Sequence, residues 1–71
     1  MNMHLTDHEC AEFVRIGNSA MRAGKPTLAQ NYFNAAVCEE LPLITYDCLK
    51  AAYRQWLIDS TWVDPFMRVQ S

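Results

Sequence analysis

Apolar residues recur at spacings of three and four along the first third of the chain, which predicts an amphipathic helix. Thr6 and Glu9 have the spacing of a capping box, in which each side chain accepts a hydrogen bond from the other residue's backbone amide. Gly24 tolerates the left-handed backbone that ends many helices. We predict a first helix over about residues 7–23. Its apolar face comprises Cys10, Phe13, Val14, Gly17, Ala20 and Met21.

The same periodicity resumes after Pro26, which suits the first turn of a helix. Thr27 and Gln30 have the spacing of a second capping box. Pro42 disfavours helical backbone in the residue before it. We therefore predict a second helix over about residues 27–41. Its apolar face comprises Leu28, Ala29, Tyr32, Phe33, Ala36 and Val37.

A third apolar stripe predicts a helix over about residues 43–59. The stripe comprises Tyr46, Leu49, Ala52, Tyr53, Trp56 and Leu57. Residues 60–71 form an apolar tail, in which Pro65 interrupts any helix. The whole pattern predicts an all-α fold, in which a third helix packs on an antiparallel helical hairpin and an apolar C-terminal tail follows.

The length of 71 residues allows one small helical domain over residues 1–71. Apolar residues make up 51% of the chain and charged residues 20%, which is typical of a globular protein. The net charge of −2 disfavours a nucleic-acid binder, because such proteins neutralise phosphates with Lys and Arg. The alternative is a small helix-turn-helix DNA-binding regulator that contacts bases with Gln30, Asn31 and Asn34.

The chain has three cysteines, Cys10, Cys38 and Cys48, and no CxxC motif. The polar N-terminal stretch has no pattern of a secretory signal, and no apolar run is long enough to span a membrane. We therefore expect a cytoplasmic protein without membrane association. Because the cytosol is reducing, we expect the thiols to be free, and we expect them to be buried.

His4, His8 and Cys10 are the candidates for metal ligands. His8 and Cys10 are two residues apart on the predicted helix, so they point in different directions, and no second ligand pair follows. The cysteines lie on or beside apolar stripes, which disfavours an activated thiol. No glycine-rich phosphate loop is present. We expect no metal, no cofactor, no small-molecule substrate and no enzyme activity.

Small and aromatic residues occupy a recurring set of positions in the first two predicted helices. These are Phe13, Ile16, Gly17, Ala20, Gly24, Ala29, Phe33, Ala36 and Pro42. The pattern resembles a single tetratricopeptide repeat over roughly residues 11–42, with Phe13 in place of Trp, Ala20 in place of an aromatic residue and Pro42 one residue late. The resemblance implies a repeat-like hairpin closed by the third helix; a generic helical bundle is the alternative.

The short length, acidic charge, single domain and cysteine-bearing helices are also similar to small accessory proteins of lambdoid bacteriophages. No motif carries this second resemblance. It implies a regulator that acts on a host factor.

Aromatic residues are concentrated in the C-terminal third, and residues of this kind are enriched at the centres of protein interfaces. The candidate interface residues are Tyr53, Arg54, Trp56, Trp62, Phe66 and Met67. The sequence therefore predicts a non-enzymatic protein-interaction module that is oligomeric and regulatory. Its partner is another protein, a second copy of the chain, or both.

Overall fold

The computed structural model describes residues 2–62 of the chain. The elements in chain order are strand β1 (Asn2–His4), helices α1 (Asp7–Arg22) and α2 (Pro26–Cys38), strand β2 (Glu40–Pro42) and helix α3 (Leu43–Asp59). The structure is mostly helical, as predicted, and α3 matches its predicted bounds. The expectation of a purely helical fold needs one correction, because β1 and β2 form a small antiparallel sheet.

The start of α1 is fixed by the predicted capping box. The amide of Glu9 donates to Thr6 Oγ1 at 3.2 Å, and the amide of Thr6 donates to Glu9 Oε1 at 3.0 Å. The helix ends where Gly24 takes a φ of +80°, a conformation that strains a residue with a side chain. The amide of Lys25 then donates to the carbonyl of Ala20 at 2.9 Å, which closes the turn.

Helix α2 differs from its prediction at both ends. It begins at Pro26, and the cap position is Lys25, which makes no side-chain capping bond, so the predicted capping box at Thr27 is wrong. It ends at Cys38 rather than near residue 41, because Glu39 adopts a left-handed backbone with φ 61°. The chain then leaves the helix and enters β2.

The small sheet ties the N-terminal segment to the connection between α2 and α3. Asn2 pairs with Pro42, and His4 pairs with Glu40. The amide of Leu5 also donates to the carbonyl of Glu39 at 2.9 Å. These strands pair segments that are far apart in sequence, so no local pattern announces them.

Helices α1 and α2 form a hairpin with close backbone approach. At Gly17 an added Cβ would lie only 2.5 Å from Cε1 of Phe33, so the aromatic ring occupies the space of the missing side chain. Ala20 and Ala29 are fully buried in the hairpin. Small residues therefore permit this contact, which is the packing expected for them.

The core differs in part from the predicted apolar faces. Buried apolar residues are Leu5, Phe13, Ile16, Ala20, Leu28, Ala29, Tyr32, Ala35, Ala36, Leu41, Leu49, Ala52 and Trp62. Val14, Met21, Val37 and Leu57 were predicted to face the core and are exposed. Ile16 and Ala35 take core positions instead, because the buried arcs of α1 and α2 are rotated from the predicted ones.

Helix α3 packs on the hairpin through Leu49, Ala52 and larger aromatic side chains. Its backbone lies further from α1 and α2 than these two helices lie from each other. The hydroxyl of Tyr32 on α2 donates a hydrogen bond to the carbonyl of Leu49. Phe13 on α1 lies 5.8 Å from the ring of Tyr46 on α3. Aromatic rings therefore fill the wider space under α3.

Candidate protein-interaction surface

Four aromatic rings from α2, α3 and the segment after α3 form an aromatic cluster, consisting of Tyr32, Tyr53, Trp56 and Trp62. The indoles of Trp56 and Trp62 stack with ring centres 5.1 Å apart and 16° between their planes. Tyr32 meets Trp62 edge-on at 5.9 Å. Trp62 is only 7% exposed, so the chain after α3 folds back onto the core at this residue.

The predicted interface residues fall into separate groups. Tyr53 and Trp56 are half-buried in the aromatic cluster, while Arg54 is exposed. Trp62 packs inside the protein rather than on an open surface. Phe66 and Met67 lie outside the described residues. The structure thus brings Tyr53, Trp56 and Trp62 together and leaves their contact role a prediction.

The indole nitrogen of Trp62 is buried without a hydrogen-bond partner within residues 2–62. Beside this ring is an open cavity of about 270 Å³, which is also lined by the turn between α1 and α2, including Gly24 and Pro26. A buried indole N–H normally has an acceptor. Within residues 2–62, Trp62 is therefore held by aromatic stacking and apolar burial, and not by a hydrogen bond from its indole nitrogen.

A set of exposed apolar side chains on α3 was missed from the sequence. Ile44 is 74% exposed and Ile58 is 71% exposed, at opposite ends of the helix. They belong to the outer face of α3, which we define as Ile44, Cys48, Ala51, Gln55 and Ile58. These positions are spaced four, three, four and three residues apart. This spacing is visible in the sequence, but the aromatic stripe on the opposite side of α3 is the more prominent pattern.

The candidate DNA-contacting residues all lie on α2. Gln30 and Asn34 are exposed and joined by a 2.9 Å hydrogen bond, whereas Asn31 is half-buried. Asn31 and Asn34 line a groove of about 270 Å³ whose described lining includes Cys38 and Leu41 and contains no Lys or Arg. This groove lacks the cations that phosphate contacts require.

Two polar contacts link α1 to α3. The hydroxyl of Tyr46 donates to Glu9 Oε2 at 2.9 Å, and Lys50 Nζ lies 3.3 Å from Glu12 Oε1. The Thr6 amide, followed by the Tyr46 hydroxyl, holds the pKa of Glu9 below its ordinary value. Burial, followed by the hydrogen bond to Glu9, raises the pKa of Tyr46. The carboxylate of Glu9 thus serves both the helix cap and the α1–α3 contact.

The cysteines are free thiols, but the expectation that they are buried is wrong. Cys10 and Cys48 are half-buried and Cys38 is exposed. Desolvation, followed by the charge of Glu39, raises the pKa of Cys10 and favours its protonated thiol. His4 lies near Glu40, with 3.9 Å between Nε2 and Oε1. Residues 2–62 contain no group of three or more His, Cys, Asp or Glu side chains placed to hold a metal ion.

Helices long and apolar enough to cross a membrane are lacking within residues 2–62. No family model, curated protein or solved structure matches the chain.

Proposed function

We propose that this chain is a non-enzymatic protein-interaction module and that α3 is its contact element. The observation that supports the proposal most directly is the exposure of Ile44 and Ile58, above 70% each, on the outer face of a helix whose inner face packs in the core. Fully burying one such side chain is worth about 1.5–3 kcal/mol relative to leaving it exposed. A partner that covers both residues would recover this free energy.

The surroundings of these isoleucines suit a protein contact. Arg54 is exposed beside the outer face, and arginine is enriched at protein interfaces. The aromatic cluster lies on the inner face and holds α3 against the hairpin. A helix supported in this way presents its outer face without having to fold on binding, which lowers the entropic cost of association.

The sequence supplies the remaining parts of the proposal. These are an oligomeric and regulatory protein in the cytoplasm, a hairpin resembling a tetratricopeptide repeat, and a phage accessory role acting on a host factor. Together they describe a small protein that acts by occupying a surface of another protein. In this proposal the aromatic residues Tyr53 and Trp56 support α3 from its inner face rather than contact the partner.

The test is affinity capture from the native host with the purified chain as bait and identification of captured proteins by mass spectrometry. The double variant Ile44→Asp, Ile58→Asp should lose specific partners by about tenfold or more, because 1.4 kcal/mol corresponds to a factor of ten. Val37→Asp is the matched control, since Val37 is an equally exposed aliphatic residue on α2. Equal capture by the double variant and the unmodified chain would contradict the proposal.

Binding to duplex DNA tests the alternative function, a helix-turn-helix DNA-binding regulator. We expect no salt-dependent shift of duplex DNA at moderate ionic strength. A shift that weakens with salt and is lost in Gln30→Ala, Asn34→Ala would instead support DNA binding by α2.

A further inference from the structure

The outer face of α3 has the geometry of a helix–helix seam. At 100° per residue, Ile44, Cys48, Ala51, Gln55 and Ile58 fall within an arc of about 80°. Their alternating spacing of four and three is that of the a and d positions of a coiled coil. Ile44 and Ile58 lie at the two ends, about 21 Å apart along the axis. The small Ala51 stands at the middle, where two helices could approach most closely.

Two opposite charges flank this seam on one side. Asp47 and Arg54 are seven residues apart, so they lie on the same side of the helix. Both are exposed, and neither forms an ion pair with a residue in the described part of the chain. On this side of the seam the acidic residue comes before Ala51 and the basic residue after it. A second acid, Asp59, is exposed on the other side of the seam.

This charge order fits a second copy of the chain in the antiparallel orientation. If a second α3 lies antiparallel with Ala51 facing Ala51, Ile44 of one copy lies level with Ile58 of the other. Asp47 of each copy then lies within one residue of the level of Arg54 of the other. In a parallel two-fold pair, each charge of one copy lies on the opposite side of the seam from the same charge of the other copy. Asp47 then does not meet Arg54, and Arg54 instead approaches Asp59. An ion pair between Asp47 of one copy and Arg54 of the other is therefore formed in the antiparallel pair and not in the parallel one.

We propose that a second copy of this chain packs antiparallel against the outer face of α3, with a two-fold axis at Ala51. This inference rests on the proposed function, because it names the partner of the same surface. Such a contact is self-complementary, as a two-fold interface requires. It buries Ile44 and Ile58 from both copies and pairs charges at both ends. One helix pair is a small interface, so the dimer is weak and forms only at higher chain concentrations.

Sedimentation equilibrium over a series of concentrations tests the association itself. The expected mass rises from 8.2 kDa towards twice that value. Ile44→Asp and Ile58→Asp should each lower the association constant by about tenfold or more, since each places a charge in the apolar seam. Val37→Asp adds the same charge to α2 and should leave association unchanged. A strict monomer at all concentrations, or equal loss in Val37→Asp, overturns the proposal.

A charge exchange tests the orientation. Asp47→Arg and Arg54→Asp should each weaken association, because either change sets like charges at both ends of the antiparallel pair. The double exchange Asp47→Arg, Arg54→Asp should restore it to within about threefold of the unmodified chain. Failure of the double exchange to restore association overturns the antiparallel arrangement.

A cross-link tests the position of the two-fold axis. In a chain carrying Cys10→Ala, Cys38→Ser and Cys48→Ala, the change Ala51→Cys places one thiol at the axis. Oxidised glutathione should then give a disulfide-linked dimer, since a disulfide forms when the Cα atoms lie within about 7 Å. A matched chain that retains Cys38 as its only thiol should remain largely unlinked. Equal linking of the two chains overturns the assigned axis.

Failure of this inference and failure of the proposed function are distinguishable. A monomeric chain whose captured host partner is lost in Ile44→Asp, Ile58→Asp rejects the second copy and retains the interaction module. A chain that dimerises as described and captures no other protein supports the second copy as the partner. A monomeric chain whose capture is insensitive to these changes rejects both.

Discussion

The α1–α2 hairpin and helix α3 are held in the same small core by different kinds of packing. In the hairpin, Gly17 and buried alanines allow close backbone contact, and a ring of Phe33 fills the space at Gly17. Helix α3 stands further away and is bridged to the hairpin by large side chains, including Trp56 and the stacked Trp62. The hairpin helices approach closely because small residues leave room between them, whereas large side chains set the distance of α3 from the hairpin.

The two regions also differ in whether their apolar side chains are used in the core or remain exposed to solvent. The hairpin uses its apolar residues mainly for the internal contact, whereas α3 has an apolar residue at each end of its outer face. Ile44 and Ile58 contribute nothing to the buried core. The aromatic residues that first suggested an interface are largely engaged in holding α3. The apolar surface that α3 leaves exposed therefore lies on the opposite side of the helix from the aromatic cluster.

The largest expected effect is the loss of the ring that bridges α3 to the hairpin. Trp62→Ala should lower the free energy of unfolding by about 3–5 kcal/mol, because it removes the stacking partner of Trp56 and leaves a void beside Tyr32. Urea denaturation followed by circular dichroism measures this change. Trp62→Phe should cost less than about 1.5 kcal/mol, since it keeps a ring and loses no hydrogen bond within residues 2–62. Equal costs for both variants would contradict the bridging role.

A smaller effect is expected from adding volume to the hairpin. Gly17→Ala should destabilise the protein, because its Cβ displaces the Phe33 ring at a cost of about 1–3 kcal/mol. Helix propensity offsets about 1 kcal/mol of that cost. In a Phe33→Ala chain the same Gly17→Ala change should become stabilising, since the space is then open. Urea midpoints of the four chains measure the sign, and the same sign in both backgrounds would contradict the close contact.

The smallest effect is expected at the polar contact between the two regions. The folded-state pKa of Glu9 lies below the ordinary value of 4.5. The ionised carboxylate therefore stabilises the fold above that pH, and this contribution is lost as the pH falls through the lowered folded-state pKa. Glu9→Gln should reduce the difference in urea midpoint between pH 7 and pH 3.

Tyr46→Phe is the matched control for Glu9. It removes one hydroxyl donor and keeps the Thr6 amide, which is the larger cause of the lowered pKa. Its effect on the pH dependence should therefore be smaller than that of Glu9→Gln. An effect of Tyr46→Phe as large as that of Glu9→Gln would show that the α1–α3 contact, rather than the helix cap, dominates the titration of Glu9.

Features set by neighbouring residues were predictable from the sequence. The capping box at Thr6 and Glu9 and the turn at Gly24 are local arrangements of backbone and short side chains, and both are present. The bounds of α3 follow from periodicity and from Pro42 before it. The capping box predicted at Thr27 failed because Pro26 begins the helix one residue earlier, with Lys25 in the cap position.

Periodicity placed the buried arcs less well. Val14 and Met21 satisfy the same spacing as the core residues and yet face solvent, while Ile16 is buried. Spacing defines an apolar stripe on a helix, but the stripe is wide and its centre depends on the neighbouring helix. For the candidate site, the spacing of Ile44 and Ile58 was visible in the sequence. Their exposure was not, because it depends on which side of α3 the hairpin covers.

The sequence by itself determined three helices, the turn at Gly24 and the small residues that permit a close hairpin, because these depend on local backbone preference and side-chain size. Only the tertiary structure decided the pairing of β1 with β2, the early end of α2 at Glu39, the burial of Trp62 and the outward placement of Ile44 and Ile58. Each of these depends on contacts between segments distant in sequence, and such contacts override the preferences of short segments.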